Sequence, residues 1–527
     1  MIRTLSLGLP HISGRPPNAA VRNDRTYTVK VGSCSKLMAT AANTDFVWHP
    51  AGDTGRQATT ISVLPDNVLL EIFCFYKEDP NQYDPASAWT WHILVHVCRG
   101  WRQVVFASPL RLDLQIVCTS ITPVRKNLGI WPAIPISVFY SRQSNRSNTS
   151  NEDNIVTALE HADRVCLVRL YSPTIPELEK IFIVMREPFP VLKTLVIASD
   201  YEIAPALPVE FLGGSAPRLR SIHLSSISFP ALPTLLLTTS DLVDLDLGNI
   251  PRTGYISPEA MVVGLAALPR LERFEVGFQL DIPRPDRIHP PPVTRAVLPA
   301  LTYFFFKGAS EYLEDLVARI DAPQPNRIKI RYLNHLVGFQ VAQIAVFLDR
   351  SFGLKLTPFR YARFTFENRM VAFGTCRHAN DPFPYPHLTE TTVTYGGIDW
   401  QCSHIFQVVS HFSATLSNVV LLRLEASDNI QLEGTDVELL HFLYQFPSVK
   451  ALHVCEELAG HVALALEDIA WETVAEVLPS LDLIYLADQP ASSIGKIVAA
   501  RQLSGRPVTV IDTDGEFYER VKSFVSK

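Results

Sequence analysis

From Arg164 to near the C-terminus the chain repeats one short pattern: an apolar residue, two others, an apolar, one other, an apolar. It reads LKTLVI from Leu192, LRSIHL from Leu219, LVDLDL from Leu242, LERFEV from Leu271 and LTYFFF from Leu301. It returns as VVLLRL from Val419, VKALHV from Val449 and LDLIYL from Leu481. Successive side chains of a strand point to opposite faces, so each motif places its apolar residues on one buried face and leaves the alternate positions polar. The early motifs start 23 to 30 residues apart. Helical patterns lie between several of them: PELEKIFIVM at Pro176, PEAMVVGLAAL at Pro258, SEYLEDLVARI at Ser310, FQVAQIAVFL at Phe339, DVELLHFLYQF at Asp436 and DIAWETVAEVL at Asp468. Pro190, Pro217, Pro269, Pro299, Pro447 and Pro479 stop these segments just before the next strand.

Strand, turn and helix at this interval is the unit of a leucine-rich-repeat solenoid, in which neighbouring units bury one another's apolar edges and parallel strands line one face. The fold class expected is therefore α/β, a β/α solenoid over residues 155–527. The strict repeat carries Asn or Cys eight residues after its first Leu. Here those positions hold Asp200, Ile227, Ile250, Gln279 and Ala309. Between 320 and 415 only YARFTF and TTVTYG stand out as strands. A doubly wound α/β domain also alternates strands with helices, but short strands with polar alternate positions in so many units favour the solenoid. The binding surface of a solenoid is formed by the exposed strand positions, here expected to include Lys193, Thr194, Arg220, His223, Asp244, Asp246, Glu272, Arg273, Glu275, Tyr303 and Phe305. Signs alternate along this set, which suits a protein partner better than a phosphate backbone, with Tyr303 and Phe305 as aromatic anchors.

Upstream, Leu64 to Leu112 has a different grammar. Pro65 suits the first turn of a helix and Asp66 its positive end. Val68, Leu69, Ile72, Phe73 and Tyr76 recur at spacings of three and four, which predicts a helix of about three turns. Trp89 to Cys98 carries Ile93, Leu94, Val97 and Cys98 on one side, and Gly100 is expected to break it before a third helix over Trp101 to Phe106. Three short helices in about fifty residues enclose little apolar surface. Some of that surface is therefore expected to pack on another chain or on the following domain.

The order Leu-Pro, acid, Leu-Leu-x-Ile-Phe, Val-Cys-x-x-Trp-Arg and Ser-Pro-Leu resembles the F-box. F-box proteins dock substrates on the Skp adaptor, and through it on the cullin scaffold, of a ubiquitin ligase. The wording WHILVHVCRGWRQVVFASPLRLDLQIVC, with WPAIPI after it, is similar to the F-box proteins of mushroom-forming fungi. The resemblance covers about fifty residues closely and implies adaptor contact by Leu64, Pro65, Leu69, Ile72, Val97, Cys98 and Trp101. Two features depart from it: Lys77 to Ala88 is a long insert, and Leu110 stands where many members keep Trp. On this reading residues 1–59 are a poorly ordered tail, 60–112 the F-box, 113–154 a connecting segment with a polar loop, and the remainder captures an unknown target protein.

The 527 residues are 47% hydrophobic and 19% charged, a composition with a substantial core. A net charge of −6 supplies no global attraction to nucleic acid or anionic membrane. Eight widely spaced cysteines with no C-x-x-C, and no run of eighteen apolar residues, suit reduced thiols in a cytoplasmic or nuclear protein without a membrane span. The sequons at Asn145 and Asn148 are then incidental. G-x-S-x-G, G-x-x-x-x-G-K-[ST] and G-x-G-x-x-G are all missing from the sequence. His92 and His96 share a helix face and Cys98 follows, but without the further ligands a metal needs. Asp512, Asp514 and Glu516 cap the start of EFYERVKSFV better than they form a calcium loop. No enzyme activity, metal or cofactor is expected.

Overall fold

A computed structural model describes residues 64–77, 90–109, 111–142, 153–201, 205–279, 295–323, 325–333, 342–353, 359–367, 370–376, 391–396, 409, 416–426, 436–467, 476–486 and 494–511. All lie in the second of two units, Met1–Val63 and Leu64–Lys527. The tail expected over 1–59, the helix expected at Asp468 and the acidic cluster at Asp512 fall outside the described residues, as does most of the polar loop after Ser141.

Three helices come first: α1 (Asp66–Lys77), α2 (Thr90–Val97) and α3 (Arg99–Ala107). Then follow β1 (Ile116–Cys118), α4 (Val124–Ile130), β2 (Ile136–Ser141), α5 (Asp153–Leu159), β3 (Val165–Tyr171), α6 (Ile175–Val184), β4 (Thr194–Ala198), β5 (Ser221–Ser225), α7 (Leu232–Leu236), β6 (Asp244–Ile250), α8 (Pro258–Leu265) and β7 (Arg273–Phe278). Next are β8 (Ala296–Val297), β9 (Tyr303–Gly308), α9 (Ser310–Ala318), β10 (Ile320–Asp321), β11 (Arg327–Leu333), α10 (Ala342–Gly353), β12 (Tyr361–Glu367), β13 (Met370–Cys376) and β14 (Thr391–Gly396). The last are β15 (Leu421–Ala426), α11 (Asp436–Leu443), β16 (Ala451–Val454), α12 (Glu456–Glu467), β17 (Leu483–Leu486), α13 (Gly495–Leu503) and β18 (Thr509–Ile511).

Eight of the strands are entered through the same turn. The backbone N–H of Leu192, Leu219, Leu242, Leu271, Leu301, Val419, Val449 and Leu481 donates to the carbonyl three residues earlier, at 2.9 to 3.3 Å. Both ends of these turns are buried, as with Phe189 and Leu192 or Leu478 and Leu481. The prolines expected to stop the preceding helices occupy the second position of this turn, where a fixed φ is already the required one. Each repeat thus buries residues at four positions, such as Leu268, Leu271, Phe274 and Val276. At the strand exits Ser172, Ser226 and Asn249 adopt positive φ. There the backbone N–H of Ser172, Ser199 and Ser226 reaches the carbonyl of Ala198, Ser225 and Gly248 in the next repeat. These bonds satisfy the backbone where the strict repeat uses its Asn or Cys.

Sixteen strands form one sheet in the order β1-β2-β3-β4-β5-β6-β7-β9-β11-β14-β13-β12-β15-β16-β17-β18, and β8 and β10 pair separately. Sequential parallel neighbours are what a solenoid requires; a doubly wound sheet would reverse its order about a first strand. Two features depart from the sequence expectation. β1 and β2 lie within the stretch 113–154, so the sheet opens before residue 155. Between β11 and β15 the order runs backwards: β12 pairs with β15, β13 returns antiparallel to it, and β14 comes to lie beside β11. YARFTF and TTVTYG are β12 and β14. The strand between them, MVAFGTC, was not singled out.

The helices cover one face. Phe304 meets Phe347 of α10, Phe306 stacks on Tyr312 of α9, and Phe364 meets Phe442 of α11. Buried polar groups tie helices to one another. Glu314 on α9 accepts the N–H groups of Gln343 and Ile344 at 2.7 and 2.9 Å, capping α10. Burial pushes its carboxyl up to about 7.

Truncating Phe304, stacked on Phe274, is expected to cost about 3 to 5 kcal/mol in urea unfolding. Glu314 holds its proton more tightly folded than unfolded, so its share of stability is present at low pH and lost as pH rises from 4.5 towards about 7. Melting curves across that window should be flatter for Glu314→Gln than for the parent.

Candidate functional site

Two surfaces carry side chains that packing alone does not explain. The first belongs to α1 and α2. The predicted apolar stripe divides in two: its Leu69 and Phe73 are buried, with Leu70 beside them, whereas its Val68 and Ile72 are exposed and, with Phe75, which was not in the stripe, are spaced four and three apart on the opposite side of α1, Phe75 being 70% exposed. On α2, Trp91, Leu94 and Val95 point inward while Ile93 and Val97, four apart, are 57% and 53% exposed. Leu64 is exposed ahead of α1. The inward residues join the core of the repeats, and Trp91 donates its indole N–H to the Gln115 carbonyl at 3.0 Å.

Of the residues expected to meet an adaptor, Leu64, Pro65, Ile72, Val97 and Cys98 are exposed, while Leu69 is buried and Trp101 half-buried with its ring 4.7 Å from Phe73. Leu69 therefore shapes the trio from within, and Trp101 braces α1. Cys98 breaks the chain between α2 and α3: its Sγ accepts the Trp101 N–H at 3.4 Å as an N-cap, so Gly100 sits inside the third helix rather than before it. Val68, Phe75 and Ile93 complete the exposed set; their helical spacing was visible, but not which side of each helix would stay open.

The second surface is the helix-free face of the sheet. Strand register sets Asp244 beside Arg273 and Arg273 beside Tyr303, and in the next row His223 beside Asp246, Asp246 beside Glu275 and Glu275 beside Phe305. His223 Nδ1 lies 2.5 Å from Asp246 Oδ2, and Arg273 reaches Glu275 at 2.6 Å and Asp244 at 3.5 Å. The Arg273 guanidinium also lies over Tyr303, 4.6 Å from the ring centre. The hydrogen bond to Asp246 raises the His223 pKa, with burial opposing it. Burial raises the Asp244 and Glu275 carboxyls, with Arg273 pulling both back. Thr194 takes its place in the first row beside Ser221. Arg220, Lys193 and Glu272 do not join these rows: each is the exposed residue just before its strand.

Charge on this face is sorted by strand instead of alternating. β6 and β7 carry the three carboxylates with Arg273, β9 carries Tyr303, Phe305 and Lys307, and β11 carries Arg327, Lys329 and Arg331 at successive outward positions. The three cations of β11 lie where the repeat interval breaks, and the alternation in RIKIRYL was the signal for them; Lys307 directly follows the LTYFFF motif. Further along, the same face closes. Tyr361, Leu421, Ala451, Leu483, Tyr485 and Ile511 form a buried apolar cluster separate from the main core. Among them burial pushes His453 down to about 3, with Arg423 and Arg363 adding to it. Those two arginines converge on Glu425.

His92 stacks on Trp131 with ring centres 4.9 Å apart, and burial, then His96, pushes it down to about 4. Among the described residues no group of three or more His, Cys, Asp or Glu is placed to hold a metal, and no helix is long and apolar enough to cross a membrane.

No family model and no curated protein matches the chain. Among solved structures it is similar to the leucine-rich repeat-containing protein LegL7 from Legionella pneumophila, at 13% identity and a TM-score of 0.25, over 75% of this chain and 99% of that one. It is also similar to TLR13 in its complex with ssRNA13, at 12% identity and a TM-score of 0.29, over 75% of this chain and 48% of that one. The repeat architecture itself stands on strand order, register and the recurrent turn.

His223 is stabilising in its charged form, so its contribution is full below pH 6.5 and is lost as pH rises through its raised folded value. In an NMR titration of the histidine ring, Asp246→Asn should bring the His223 midpoint down towards its ordinary value.

Proposed function

We propose that this chain is a non-catalytic substrate receptor of a Skp-cullin-F-box type ubiquitin ligase, with α1 to α3 as the F-box docking the Skp adaptor and the open face of the repeats holding a target protein. The observation that carries this reading is the two-sided apolarity of α1 and α2: one side is core, and the other keeps Val68, Ile72, Phe75, Ile93 and Val97 in solvent. A folded domain gains nothing from such a face on its own, whereas fully covering one side chain of that size stabilises a complex by about 1.5 to 3 kcal/mol. The Leu-Pro element leads into α1 and the Val-Cys-x-x-Trp element joins α2 to α3, which supports an F-box over an unrelated docking helix pair.

In such an assembly the receptor needs no reactive residue. It raises the effective concentration of target beside a charged carrier enzyme, and the bond-making cysteines belong to other subunits. Arg273, His223, Asp246, Glu275, Tyr303 and Phe305 are the proposed target contacts, in a cytoplasmic or nuclear setting. A second reading keeps the repeats as an interaction scaffold that directs no turnover, a use the strand-sorted charges would serve equally well. Target half-life with and without the protein separates the two.

Replacing Ile72 and Val97 together with Asp puts two charges on the exposed face and none in the core. Co-purification of a Skp-type adaptor with the full chain should fall below detection while the melting temperature is unchanged; adaptor retained by a folded double variant would count against the F-box assignment.

A further inference from the structure

On the open face, Lys307 of β9 and Arg331 of β11 are direct partners across the ladder, as are Phe305 with Lys329 and Tyr303 with Arg327. Like charges opposite one another across a ladder repel. On β6 and β7 the sheet relieves such crowding with ion pairs, but among the described residues Arg327, Lys329 and Arg331 form none, and Lys307 is held only by the Asn249 side-chain oxygen at 2.8 Å. On the next strand the register sets Thr392 beside Lys329 and Thr394 beside Arg331. Burial lowers the Lys307 pKa, with Arg331 adding to it, and burial lowers that of Lys329, with Arg327 adding to it and Glu275 opposing it in part. Three cations at successive outward positions of β11, about 7 Å apart, with Lys307 about 5 Å across the ladder from Arg331, span an area matched by one or two phosphate groups. A single dianionic phosphate there would relieve the repulsion and accept charge-assisted hydrogen bonds from several donors at once.

We propose that Lys307, Arg327, Lys329 and Arg331 form an anion-recognition site for a phosphorylated segment of a partner protein, with Tyr303 and Phe305 flanking the bound chain. This deepens the receptor reading and rests on it in one respect, that the open face is where targets bind. Charge complementarity chooses the occupant. A nucleic acid continuing across the sheet would leave the basic strands and run over Glu275, Asp246 and Asp244 within two strands. A peptide changes sign along its length and can set a phosphate on β11 while offering a cation to β6 and β7.

The test uses the full chain and three fluorescent probes: a degenerate peptide library with a central phosphoserine, the same library unphosphorylated, and a short oligouridylate. Anisotropy should show the phosphorylated library binding at least about tenfold tighter than its unphosphorylated form, weakening with salt and losing about tenfold or more in Lys329→Glu with Arg331→Glu. Lys329→Gln with Arg331→Gln, which removes charge without reversing it, should lose affinity in the same direction. Equal binding of the two libraries, tighter binding of the oligouridylate, or affinity unchanged in both variants would overturn the proposal. Adaptor co-purification is read in parallel on the same samples. Its retention in the charge variants shows them folded. Its loss from the parent, with phosphopeptide binding intact, would remove the ligase assignment and leave the anion site standing.

Discussion

Everything in this molecule depends on parallel strands covering one another's apolar rows. A single repeat buries residues at four positions, two from the entry turn and two from the strand, and it has no second layer of its own. Leu242, Leu245 and Leu247 are dry because the preceding repeat supplies Leu219, Ile222 and Leu224 and the following one Leu271, Phe274 and Val276. Stability is therefore a property of the stack. That explains how the repeats tolerate losing the usual Asn or Cys: positive-φ residues at the strand exits hand the backbone bonds to the neighbouring repeat.

The same geometry divides chemistry between the two faces. Inward positions are occupied by packing, so outward positions are where recognition chemistry can accumulate. They do so unevenly. The stretch from β5 to β11 exposes paired carboxylates, a cation over an aromatic ring, and then three cations on β11, one of them facing Lys307. From β12 onward the described outward positions are mixed: Tyr361, Leu421, Ala451 and Leu483 are buried and apolar, Arg363, Arg423 and Glu425 are half-buried and charged, and burial pushes the His453 pKa well below its ordinary range. The outward face thus passes from polar and charged on β5 to β11 to a mixture of buried apolar and half-buried charged residues among the described positions of β12, β15, β16 and β17, and the reversed order of β12 to β14 lies at the change.

The helical trio repeats the two-sided logic on a smaller scale. Its inner residues merge with the first strands through Trp91, Trp131 and Phe106, whose rings meet at 5.3 to 6.3 Å. Its outer residues are left over once that packing is complete. Three helices of this length enclose too little surface to stand alone, and packing on the repeats leaves one side of α1 and α2 exposed.

Much of this was legible in the chain itself. Period, turn prolines and alternation are local properties, so Leu192 to Val276 announced both their strands and their buried face, and Leu64 to Trp101 announced three helices. What required tertiary structure were facts that depend on neighbours distant in sequence. Which side of α1 would face water followed from where α2 and α3 offered apolar surface, as Trp101 does to Phe73, so Leu69 went inside and Ile72 did not. That Lys307 would stand opposite Arg331 followed from the register of β9 on β11. Neither window contains the other's position, because side-chain direction is set by an element's own period but side-chain company is set by how elements pair.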